Sequence, residues 1–220
     1  MKRARQINFD TQGDVYVRVK SDLKKNNYKQ MKRNEIINLT FNPFTRIAGW
    51  QALALGVVIM LLMAMAGTYA NVYFDGAIDM HFTEKATLKD SLNCLGIDFI
   101  SLVLTLSVAG LIIAKNFRLL DILGTVSLAK APFLLLAIAS MAVNAPNLEE
   151  IMKDPSSIFS SFSFVVLMVL TIPIMIWHII LLFNAFKVST GAIGNKVVPA
   201  FIIALLVAEI ISKILISYLL

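Results

Sequence analysis

Five ionisable side chains lie inside long apolar runs: Asp98, Lys130, His178, Glu209 and Lys213. A charge held at the centre of a bilayer costs about 2.5–3.5 kcal/mol on insertion scales, so such residues pair, line a polar route or relay protons. Glu209 and Lys213 stand four residues apart in the favourable Glu-before-Lys order. An intrahelical ion pair is therefore expected, with Lys213 snorkelling outward. Asp98 enters its run from the same side and at a similar depth, which suggests a bridge to Lys213. Lys130 could instead meet Glu209 at mid-depth. A lone His178 is more often hydrogen-bonded to a neighbouring helix than part of a proton relay.

Catalytic chemistry finds little to build on. His81, His178 and the single Cys94 do not make a usual zinc site. Glu149-Glu150 resembles the paired glutamates of intramembrane CAAX-type proteases. However, it lies in a loop between Pro146 and Pro155, and Asp154 stands where a basic residue belongs. There is no Gly-x-Ser-x-Gly and no phosphate-binding loop. The chain reads as non-enzymatic, with no catalytic residue, cofactor or metal.

The elements that must position the five residues are membrane helices. Of the 220 residues 58% are hydrophobic and only 15% charged, against roughly a quarter charged in soluble domains. Between Pro155 and Phe186 there is no Asp, Glu, Lys or Arg, a run longer than the ~20 residues that cross a bilayer as a helix. The sequence predicts five spans, at about 50–73, 92–114, 119–143, 162–183 and 197–220. The third contains Asp121, Lys130 and Pro132 and is read as one helix kinked at the proline, the alternative being an amphipathic helix leading into a short tilted span. Pro173 predicts a second kink in the fourth. In the fifth, Ala200, Ala204, Ala208 and Ser212 form a stripe of small residues at four-residue spacing, a packing face for another helix of this chain, of a second copy or of another membrane protein.

Charge gives the orientation. Residues 1–46 hold 11 of the 20 Lys and Arg and 4 of the 14 Asp and Glu, so the net charge of +6 comes from this segment. Loops 115–118 and 184–196 are purely basic, whereas 74–91 and 144–161 are mainly acidic. The positive-inside bias then places the N-terminus in the cytoplasm and the C-terminus outside, in a cell (inner) membrane. Within the N-terminal segment, the alternating valines of 15–19, preceded by Ile7, Phe9 and a turn-like 10–14, read as a small β-hairpin, the alternatives being disorder or pairing with another chain. Residues 21–39 read as a surface helix whose Lys24, Lys25, Lys29, Lys32 and Arg33 would bind anionic lipid headgroups. Nucleic acid is not expected, since no recognition motif accompanies the charge.

The expected fold is thus all-α: a polytopic bundle of five transmembrane helices (47–220) behind a short basic cytoplasmic segment (1–46). From Asn42-Pro43-Phe44-Thr45-Arg46-Ile47 onward the chain resembles the Yip (Ypt-interacting protein) domain family, in its bacterial branch. Arg118-Leu-Leu-Asp-Ile-Leu-Gly-Thr-Val-Ser-Leu-Ala-Lys-Ala-Pro132 is similar to that family's entry to the third span, and Phe183-Asn-Ala-Phe-Lys-Val-Ser-Thr-Gly191 with Lys196 to its last loop. The resemblance implies a membrane-organising or trafficking-type scaffold. The Asp-Leu-Tyr-Gly-Pro motif of the eukaryotic members, which bind Rab-type GTPases, is missing here. The competing class is a small transporter or channel that uses the five intramembrane residues.

Overall fold

The computed structural model describes residues 28–114, 117–143 and 148–219, with nothing said of the side chains of 148–150. It divides into two units, residues 1–40 and 41–220. In the first, residues 28–41 form a helix, α1, in which Lys29, Lys32 and Arg33 are exposed, as are Met31, Ile36 and Ile37. Lys24, Lys25 and the expected hairpin lie outside the described residues.

The second unit holds five helical stretches apolar and long enough to cross a membrane: α2 (Gly49–Ala70), α3 (Leu88–Ile113), the pair α4 (Leu119–Ala129) and α5 (Ala131–Ser140), α7 (Phe162–Thr190) and α8 (Val197–Leu219). A short α6 (Leu148–Lys153) and a 3₁₀ turn (Pro155–Ser160) precede α7. The fourth span exceeds its sequence boundary by seven residues. Asn184 to Thr190 keep the helix going, and it stops only where Gly191 adopts a left-handed φ of 62°, a conformation that favours glycine as a C-terminal cap. α7 runs continuously through Pro173.

The third span is the centre of the bundle. Of its most apolar window 61% is buried, against 22–50% for the other four. It packs on α2 along one side and on α7 along the other, while α8 takes α3 as its main neighbour. Within the single 119–140 stretch the helix is interrupted at one residue, Lys130 (φ −72°, ψ −6°), between α4 and α5, beside the proline where a kink was expected. Pro132 is the cause, since it has no N–H to donate to Leu128 and its ring crowds that carbonyl.

The contact of α2 with α4 is backbone on backbone. A Cβ on Gly124 would lie 2.3 Å from the Gly49 carbonyl oxygen, and one on Gly56 would lie 2.2 Å from Ser127 Oγ. Such approach is open only to small residues. Of the stripe on α8, Ala204, Ala208 and Ser212 are buried, the two alanines in the core that includes Leu102, Leu106 and Ala109 of α3, while Ala200 is half-buried.

Between α2 and α3 the chain forms a two-stranded hairpin, β1 (Val72–Tyr73) against β2 (His81–Phe82), with Val72 opposite Phe82. The seven residues it encloses, 74–80, fold into the end of the bundle, where Phe74 is 2% exposed and Ala77 fully buried. This stretch of the mainly acidic 74–91 connection is therefore inserted into the bundle.

Candidate functional site

The break in the third span builds the inner part of a polar cluster. With α4 ended, the Phe133 N–H donates to the Lys130 carbonyl (3.0 Å), and the Ala129 carbonyl takes a bond from another helix. His178 Nδ1 of α7 lies 2.8 Å from it, and His178 Nε2 lies 3.1 Å from the Ala77 carbonyl of the inserted segment. A neutral imidazole donates through one nitrogen only, so the tautomer decides which of the two carbonyls accepts the N–H. The ring is fully buried, and the Phe133 ring packs 4.2 Å from its centroid. One side chain thus ties together α4, α7 and segment 74–80.

At the same break, Lys130 Nζ donates to Asp98 Oδ2 of α3, with both side chains fully buried. Two expected pairings are corrected here: Lys130 does not reach Glu209, and Asp98 does not bridge to Lys213. The reason is the proline-induced break, which ends α4 at Lys130 beside α3. Asp98 Oδ1 and the neighbouring Ser101 Oγ, one turn on along α3, are buried without a hydrogen-bond partner among the described residues.

The outer part of the cluster is organised by the inserted segment. Glu209 Oε2 of α8 accepts from the Ile78 N–H at 3.2 Å, and its carboxylate lies so close to Gly76 that a Cβ there would be 2.5 Å from Oε1. A side chain at 76 would push the Glu209 carboxylate aside. Lys213 Nζ is 2.6 Å from Asp79, 3.5 Å from Asp75 and 3.8 Å from Glu209. The i, i+4 contact expected between Glu209 and Lys213 is therefore the longest of three. Lys213 is 44% exposed, so its ammonium reaches the bundle surface as a snorkelling lysine should. His81, half-exposed, pairs with Asp75 at 3.0 Å.

Asp75, Asp79 and His81 are the residues that sequence reasoning passed over. The available signal was their position next to Gly76 in a loop facing the C-terminal half of the fifth span. With the geometry in view, the chain was compared with protein-family models, curated proteins and solved structures, and none matches.

The cluster acts as a clasp between segment 74–80, α7 and α8, and its outer pair responds to pH. The hydrogen bond that His81 donates to Asp75 raises the imidazole above its ordinary 6.5, against the opposing effect of burial. For Asp75, burial works to raise the carboxyl, but the bond and charge of His81 together with Lys213 prevail and hold it below 3.8. The contribution of His81 to stability is full below pH 6.5 and is lost as pH rises through its elevated value. That of Asp75 is present above pH 3.8 and is lost as pH falls through its lowered value. Amide exchange in 74–82, corrected for intrinsic rates, should be slower at about pH 6 than at about pH 9. His81→Gln should erase the difference, and an equal difference in that variant would remove His81 from the account.

Proposed function

We propose that this chain is a non-enzymatic membrane protein that organises its membrane or scaffolds partners through helix packing and the face bearing Arg118 and Lys187. This is the function that its Yip-like stretches imply. On this reading residues 1–46, Arg118, Lys187 and Lys196 face the cytoplasm of the cell membrane, and the hairpin faces outside. Its N-terminal Lys24, Lys25, Lys29, Lys32 and Arg33 contact anionic headgroups.

The observation that carries the proposal is the pairing of charge inside the spans. Asp98 and Lys130 neutralise each other at full burial, and Glu209 and Lys213 are clasped by the inserted segment. A transporter or channel would need water along Asp98, Lys130, His178, Glu209 and Lys213. Instead Asp98, Lys130 and His178 have no exposed surface and are packed among Ala77, Leu102 and Phe133, equally buried. Photo-crosslinking residues placed at Lys187 and at Glu84, both exposed, test the proposal in native membranes. Discrete protein adducts at 187 and none at 84 are expected. Adducts only at 84, or none at either site, would overturn it.

A further inference from the structure

A groove of about 460 Å³ runs between α3 and α8. Its walls are Leu104, Val108 and Ile112 on α3 and Ala200, Ala204 and Val207 on α8. Thr105 supplies the one hydroxyl, which is already donated to the Ser101 carbonyl at 2.8 Å. Both walls are membrane-crossing helices, and Leu104, Val108 and Ile112 are 56–78% exposed, so the groove opens onto hydrocarbon. From Ala200 to Ile211, the last lining residue of α8, it extends ~16 Å at 1.5 Å per residue. That is about half of the ~30 Å hydrocarbon core, the depth of one leaflet.

We propose that this groove holds an acyl chain of an anionic glycerophospholipid whose phosphate is bound by Lys196. The Ala200 N–H donates to the Lys196 carbonyl at 3.1 Å, closing the first turn of α8. The exposed Lys196 thus precedes the lining residues Ala200 and Ala204 at four-residue spacing, one turn from the groove. Lys187 and Lys196 are the only charged residues from 155 to 208. No carboxylate in that stretch opposes a phosphate, and a cation one turn from an apolar furrow fits a lipid with an acidic headgroup.

The test is native mass spectrometry of the full chain in mild detergent, titrated with phosphatidylglycerol and, separately, with phosphatidylcholine. One phosphatidylglycerol should be retained per monomer, and phosphatidylcholine more weakly. Lys196→Gln should weaken phosphatidylglycerol binding roughly five-fold, the loss of one cationic contact near an anionic headgroup. Ile203→Trp, at an exposed lining position, should block both lipids while leaving the melting temperature close to wild type. If Ile203→Trp unfolds the protein, the Lys196→Gln comparison decides alone. Equal retention of the two lipids by wild type and Lys196→Gln would overturn the proposal. So would a lipid-free dimer that Ile203→Trp disrupts.

Discussion

Replacing Lys130 alone by Met, or Asp98 alone by Leu, should lower the stability of the detergent-purified protein by about 3–5 kcal/mol, the usual result of stranding one member of a buried ion pair. Both side chains are fully buried, so water cannot take over the role of the missing partner. Lys130 also occupies the joint between α4 and α5. Met retains most of the lysine's apolar stem there, so the charge is the main thing removed. The double variant Asp98→Leu/Lys130→Met should recover most of the loss, because exchanging a whole buried pair for apolar residues is often neutral. Thermal unfolding followed by circular dichroism measures all three variants. A double variant as unstable as the sum of the singles would mean that the pair is not the structural unit described.

The second large effect lies on α2 and α4. Gly124→Val should cost at least 1–3 kcal/mol, the usual penalty of overpacking. Its Cβ alone would sit 2.3 Å from the Gly49 carbonyl oxygen and 3.1 Å from Ala52 Cβ, and backbone atoms cannot swing aside. Gly56→Leu should behave alike, its Cβ falling 2.5 Å from the Ser127 carbonyl carbon. Gly96→Ala is the internal control: nothing lies within 4 Å of a Cβ there. It should be neutral or stabilising by up to about 1 kcal/mol through helix propensity. Unfolding of the three variants in one detergent decides whether helix approach, rather than glycine content, is what matters.

Span number and approximate limits were legible because they rest on length and polarity, which the sequence states outright. What was not legible depends on where the chain folds back. Pro132 announced a disturbance in the third span, but its form depends on which neighbour satisfies the freed carbonyls, and His178, which meets the Ala129 carbonyl, is 49 residues from Ala129. The charged residues were recognisable as unusual one by one, yet their partners were not. Lys130 and Asp98 meet because α4 ends against α3. Lys213 and Glu209 find partners in a segment that hydropathy marks only as polar. Gly76 and Ala77 carry no sign that their backbone enters the bundle. The tight α2–α4 seam escaped notice because its glycines and serine, at 49, 56, 124 and 127, lie on two helices. The α8 stripe was visible because it lies on one.

The central claim is that the intramembrane charges hold the bundle closed rather than conduct. Its most direct test is flux through the purified protein in liposomes, read with a proton-sensitive dye and with ion-selective electrodes under an imposed potential. The account predicts that wild-type protein and the folded Asp98→Leu/Lys130→Met variant both match protein-free liposomes. Wild-type flux that disappears in an equally stable double variant would contradict it.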